Sequence, residues 1–238
     1  MRRLLSLATA ALLLGSCEMY VNHSVRGDGN RTTQERTVGS FSSVEVSGPF
    51  DVTIVQGTAS SVQVEADGNL QEYVEVTVKG DELEIRTRHG INIRTKRDIH
   101  ITVTSPTYRV IAVAGSGNVK GATRLKSDGL ELSITGSGDM NLDVDAPMVK
   151  TSVTGSGSMT LNGASRILKA EISGSGEVHA FGLMAEQTDV DIAGSGDAEV
   201  FASKTLRVDI AGAGDVAYKG GAAVSQSVAG SGNIRKAD

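Results

Sequence analysis

The chain has one cysteine, three prolines, no tryptophan and only 3% aromatic residues. A single cysteine, Cys17, excludes an internal disulfide, so the fold must rest on its own core. Scarce aromatics argue against a lectin that stacks sugars on aromatic faces. Positive charge is in deficit: 23 Lys and Arg stand against 28 Asp and Glu, a net charge of −5. Such a surface repels phosphate backbones and argues against a nucleic-acid partner. No apolar run is long enough to span a bilayer as a helix. No Ser-His-Asp, Walker or Rossmann pattern occurs. His23, His89, His100 and His179 fall at no metal-ligand spacing. Neither a catalytic set, a cofactor nor a metal site is therefore expected.

What is abundant is glycine, 29 residues, and much of it is periodic. Seven triplets recur: Gly115-Ser116-Gly117, Gly136-Ser137-Gly138, Gly155-Ser156-Gly157, Gly174-Ser175-Gly176, Gly194-Ser195-Gly196, Gly212-Ala213-Gly214 and Gly230-Ser231-Gly232. Their first glycines are 21, 19, 19, 20, 18 and 18 residues apart. A period near 19 points to one small unit stacked repeatedly. Apolar and polar residues alternate on both sides of each triplet, as at Leu130, Leu132, Ile134 and then Met140, Leu142, Val144. Period 2 is the signal of a half-buried strand, and the paired glycines disfavour helix. Glycine suits a sharp reversal because it accepts positive φ and close backbone approach. Two strands per unit predict an all-β fold, one coil of a β-solenoid per repeat, with a β-sandwich as the alternative. Seven coils about 4.8 Å apart would make a rod of roughly 30–35 Å.

The front half reads as part of the same structure. Val44, Val46, Ser47-Gly48-Pro49, Phe50, Val52 and Ile54 form a degenerate copy of the repeat. Alternating runs follow at Val62 to Ala66, Val74 to Val78, Leu83 to Ile85 and Ile91 to Val103. Residues 37–238 are thus expected to form one domain.

The N-terminus reads differently. Arg2 and Arg3 precede the apolar stretch Leu4 to Leu14, a signal-peptide pattern. Leu14-Gly15-Ser16-Cys17 is similar to a lipobox, which implies cleavage before Cys17 and its acylation. Loss of residues 1–16 removes two arginines and no acid, moving the net charge from −5 to −7. Residues 17–36 are polar and read as a flexible tether. Arg26-Gly27-Asp28 matches a short integrin-type tripeptide, a pattern common by chance.

A lipoprotein-like leader, the strand Phe41–Val46, the turn Gly48-Pro49-Phe50-Asp51-Val52 and the Gly-Ser-Gly array together resemble the bacterial head GIN domain proteins, a family of autotransporter-type adhesins. The tripeptide Gly90-Ile91-Asn92 is present as well. The resemblance implies a right-handed β-helix with Gly-Ser-Gly at the tight turns between two sheets, and a role in adhesion with no catalytic residues. No C-terminal membrane barrel is evident, so the expected anchor is a lipid on Cys17. Glu18 is not the aspartate associated with inner-membrane retention, which points to the outer membrane.

Three surface features invite function. A polar residue follows each turn: Asn118, Asp139, Ser158, Glu177, Asp197, Asp215 and Asn233. Stacked, they could bind a divalent cation, or they could bond nearby backbone N–H groups; the spacing favours the second. Glu171, Asp191 and Asp209 form an acidic column, read as a solvated face with Lys169 and Arg207 as counter-charges. The segment Arg86 to Arg97 reads as a basic hairpin in an acidic protein. Alternation puts Arg86, Arg88, Arg94 and Lys96 outward, where they could bind phosphate or sulfate on glycans, lipopolysaccharide or host polymers. The function expected is a non-enzymatic envelope lipoprotein with an adhesive or interaction role. An envelope maintenance protein and a polysaccharide-acting β-helix enzyme are the alternatives.

Overall fold

A computed structural model describes residues 23–238. The chain runs β1 (His23–Arg26), β2 (Arg31–Arg36), β3 (Ser43–Ser47), β4 (Phe50–Gln56), β5 (Ser61–Asp67), a 3-10 turn (Gly68–Tyr73), β6 (Val74–Lys79), β7 (Glu82–Thr87), β8 (Ile91–Arg94), β9 (Ile99–Ser105), β10 (Val110–Gly115) and β11 (Asn118–Gly121). It continues with β12 (Leu125–Lys126), β13 (Leu130–Gly136), β14 (Asp139–Gly155), β15 (Ser158–Gly174), β16 (Glu177–Gly194), β17 (Asp197–Phe201), β18 (Thr205–Gly212), β19 (Asp215–Lys219), β20 (Ala223–Gly230) and β21 (Asn233–Lys236).

The fold is an all-β solenoid of about 7 turns. Each coil has an arm entering a glycine turn and an arm leaving it. Entering arms stack in the order β7, β3, β10, β13, the later halves of β14, β15 and β16, then β18 and β20, all parallel. Leaving arms stack likewise from β9 and β4 through β11 to β17, β19 and β21. The first glycines of the triplets lie in register, Gly115 on Gly136 and so on to Gly230. The alternation in the sequence therefore becomes a single core. Leu132, Ile134, Met140, Leu142 and Val144 are buried, and so are their equivalents in the neighbouring coils. The repeat of 20 residues between Gly174 and Gly194 keeps this register because a bulge opposite Thr160 to Asn162 absorbs its extra residue.

The two glycines of a triplet have different reasons. The first takes a left-handed φ, from 108° at Gly115 to 144° at Gly230. The second has an ordinary φ, but a Cβ on it would strike the carbonyl of the coil below, as at Gly157 against Gly138. Between them the middle residue ties coils together: Ser156 N–H donates to Gly136 O at 2.9 Å and Ser175 N–H to Gly155 O at 2.8 Å. Pro49 holds the middle place in the degenerate copy and has no N–H to give. No triplet turn lies beneath it to accept one.

At the front, chain order and stacking order differ. The coil β3–β4 lies between β7–β9 and β10–β11, so the chain passes it, returns beneath it, and then resumes above it. The crossing at residues 106–109 is fastened by buried Tyr108, whose hydroxyl lies 2.9 Å from both the Val55 and Val103 carbonyls. Antiparallel pairs β5–β9, β2–β5 and β6–β7 close this end, and buried Leu70 of the 3-10 turn plugs it.

Two expectations are corrected here. Residues 23–36 are not a tether: β1 pairs with β8, and β2 pairs along its whole length with β5. Their polarity is that of edge strands, which join by backbone and stay charged outside. Arg31 Nε meets Glu65 at 2.8 Å and Arg36 donates to Gln71 O at 2.8 Å. Residues 86–97 are not a hairpin either. Arg86 stacks under Ser47 and Ile99 under Phe50, so residues 87–98 replace the tight turn Gly48-Pro49 with a long excursion. That excursion carries β8 out of the main sheet to β1. The signal segment, Cys17 and residues 18–22 lie outside the described residues.

Candidate functional site

The excursion and the N-terminal strand build a cleft at the closed end. Parallel pairing aligns Arg26 with Arg94, and Gly27 N–H donates to Arg94 O at 2.9 Å. The chain then turns through Asp28 and Gly29, whose φ is 83°. Asn69 fixes this turn: Asp28 N–H donates to Asn69 Oδ1 at 3.0 Å, and the Asn69 amide donates to Arg26 O at 2.8 Å. The cleft encloses about 700 Å³. Arg26, Arg94, Lys96 and Arg97 stand around it, with Asp67 among its walls. None of these four cations forms a salt bridge among the described residues.

Asp67 is the unusual member. It is 4% exposed, a burial that carboxylates rarely reach without partners. Its Oδ2 accepts the Gly29 N–H at 3.2 Å, but Oδ1 is buried with no hydrogen-bond partner. Gly27 makes room for it, since a Cβ there would collide with the Asp67 carboxylate. An unpaired buried acceptor of this kind costs stability.

The structure divides the four basic residues expected to act together. Arg86 is paired with Glu75 at 3.0 Å and Glu84 at 3.5 Å, and Arg88 with Glu72 and Glu75 at 3.5 Å. Arg88 also lies over the Tyr73 ring at 5.2 Å. These two staple β6 and the 3-10 turn onto β7 and are half-buried. Arg94 and Lys96 are exposed and turn into the cleft, joined by Arg26 and Arg97. Sequence alternation missed Arg26 because nothing local links it to β8, and it missed Arg97 because that residue shares the parity of inward Ile93 and Ile99.

The remaining columns are structural. Asp139 accepts the Ser158 N–H at 3.2 Å, Asp197 the Asp215 N–H at 2.8 Å, and Asp215 the Asn233 N–H at 2.9 Å. The post-turn ladder thus bonds backbone N–H groups, and it does so from one coil to the next. In the acidic column Glu171, Asp191 and Asp209 stack in register. Partial burial, then the Asp209 charge, raises the Asp191 carboxyl above its usual range. Arg207 relieves the column by pairing with Asp209 at 2.7 Å.

Residues 40–222 match a family model described as "Putative auto-transporter adhesin, head GIN domain". The chain belongs to this family. Among solved structures, a "putative adhesin" of Bacteroides fragilis superposes with TM-score 0.86 at 24% identity, over 90% of this chain and 100% of that one. A "putative adhesin" of Parabacteroides distasonis gives 0.76 at 27% identity, over 90% of this chain and 100% of that one. A "putative lipid binding protein" of Parabacteroides distasonis gives 0.76 at 25% identity, over 91% and 100%. The search of curated proteins found no match. The head GIN domain here thus shares its coil architecture with these solved structures, and the matched residues include the excursion and Asp67 but not β1 with Arg26.

Proposed function

We propose that this head GIN domain is a non-enzymatic, surface-displayed adhesion module, lipid-anchored at Cys17, whose cleft grips phosphate- or sulfate-bearing sugars of the envelope surface. The observation that carries the reading is the set of four cations around one cleft, none of them in a salt bridge among the described residues. The planar guanidinium fork of arginine pairs two N–H donors with two oxygens of a tetrahedral phosphate or sulfate. Six residues from Cys17 reach His23, a span of at most about 21 Å. A lipid on Cys17 would therefore hold the cleft near the headgroups of its own membrane. The repeats would then stand outward from a foot clamped to the surface.

Binding of the full chain to vesicles containing lipopolysaccharide, to neutral phosphatidylcholine vesicles and to a soluble sulfated glycan tests this. Lipopolysaccharide should be preferred over neutral lipid, and binding should weaken as salt rises. The triple variant R94S/K96S/R97S should lose roughly tenfold or more in affinity, because each cation makes a charge-assisted contact. R86S/R88S should keep binding while lowering thermal stability. Wild-type affinity in the triple variant would refute the cleft as the binding site. A chain that binds the soluble glycan alone would place the ligand on another surface than its own membrane.

A further inference from the structure

The two ends of the solenoid are guarded differently. At the closed end the edge strands carry charge: Arg31, Glu35 and Arg36 on β2, Glu75 and Lys79 on β6. Such charges discourage edge-to-edge pairing. At the open end β20 carries none, and no charged residue occurs from Gly220 to Ile234. Every residue of β20 is exposed. Val224 and Val228 are 38% and 40% exposed, although Leu206 and Ile210, one coil below in register, are buried.

The backbone is equally open. Ala223 N–H donates to Lys204 O and Ser231 N–H to Gly212 O. The N–H and C=O of one strand residue point to the same side, and successive residues to opposite sides. Odd-numbered residues of β20 thus face β18. Val224, Gln226 and Val228 face the open edge, since β18 is the one described strand that pairs with β20.

The side chains along that edge read the same in both directions: Ala223-Val224-Ser225-Gln226-Ser227-Val228-Ala229. A twofold axis through Gln226 sets Val224 against Val228 of a second copy, Ser225 against Ser227, and Gln226 against itself. An isologous interface requires this self-complementarity. The hydrogen-bonding phase agrees, because the paired residues in that register are the ones whose N–H and C=O face outward. Both valines lie on the inward face and would extend the core across the junction. The two Gln226 amides can bond one another.

We propose that β20 is a self-association edge through which two copies join end to end, antiparallel about Gln226. The copies extend in opposite directions, so with the stack from β7 to β20 doubled their closed ends lie roughly 80 Å apart, at about 4.8 Å between neighbouring strands. Resting on the reading that the closed end is the anchored one, the pairing joins two apposed cell surfaces. The adhesive partner is then another copy of this chain.

Sedimentation of the purified full chain tests the junction. Density-matched detergent hides the micelle, and about 0.5 M salt screens Arg235 and Lys236 of β21 at the same end. Wild type should sediment as two chains. Gln226→Pro removes an N–H that faces only the open edge, a place where proline fits a strand. It should weaken the dimer at least tenfold, and so should Val228→Lys. Both variants should keep the wild-type strand spectrum. A wild type that stays monomeric at every concentration overturns the proposal, and so does a dimer unchanged in both variants. Vesicles bearing the chain by its N-terminal anchor should cluster with wild type and not with Gln226→Pro. A dimer in solution without clustering would overturn the bridging of two surfaces, and with it the anchored-end geometry, while the edge pairing stands.

Discussion

At the residue scale the fold turns on two glycines that do different things. Gly155 has a φ of 122° and supports the coil above it, while a Cβ would drive into Gly136 O. Gly155→Val should therefore destabilise the domain by about 3 kcal/mol or more, from a β-branched residue at positive φ plus the clash. Gly129 has open space and no left-handed φ, so Gly129→Ala should leave the melting temperature nearly unchanged. Equal melting temperatures for the two variants would overturn the account of the turns. Gly29 is no such control, because its φ of 83° fixes the turn beside the cleft. The turn glycines and the inward residues were legible in sequence, since both repeat with the period. Asp67 was not, because an aspartate beside Gly68 reads as an ordinary turn until its burial is known.

At the scale of elements, the difference between sequence and structure lies in β1, β2 and β8. β1 and β2 contain almost no apolar residues and so lack the alternation that marks a strand, while the alternation in β8 does not tell that it leaves the main sheet. They are held by backbone pairing to partners tens of residues away. A chain that begins at Thr37 lacks β1 and β2 and exposes the edge of β5. It should lose about 2 kcal/mol, a drop of about 4–8 °C in melting temperature, and should aggregate more readily. Differential scanning fluorimetry with light scattering reads both effects. An unchanged melting temperature would mean that residues 23–36 contribute nothing to the fold. The excursion at residues 87–98 was legible as basic but not as a loop. Apolar residues keep one parity on both sides of the polar stretch 94–98, at Ile91 and Ile93 and again at Ile99, Ile101 and Val103, and only the stacking of Arg86 under Ser47 and Ile99 under Phe50 shows where the coil breaks.

At the scale of the molecule, the solenoid is a rod with unlike ends. One end is closed by antiparallel strands and a buried plug; the other presents β20 and β21, which pair on one side only among the described residues. In a stack, each coil is stabilised by its neighbours, so a terminal coil with one neighbour opens most easily. Hydrogen exchange on the dilute chain should show the fastest amides in β20 and β21, led by Val224, Gln226 and Val228. Protection should rise through β18 and β16 to a plateau in β13 and β14. Uniform protection along the rod would show that the whole stack opens as one unit.

The sequence by itself determined the all-β class, the coil period, the inward face of every repeat and the chemistry of the turns. Each of these is a local or periodic property, written within one repeat and copied in the next. The tertiary structure alone decided the order of the first coils, the capture of residues 23–36, and the cleft that joins Arg26 to Arg94, Lys96, Arg97 and Asp67. Those depend on pairings between segments far apart in the chain, made by backbone groups that every residue carries alike, so side-chain pattern leaves no trace of them.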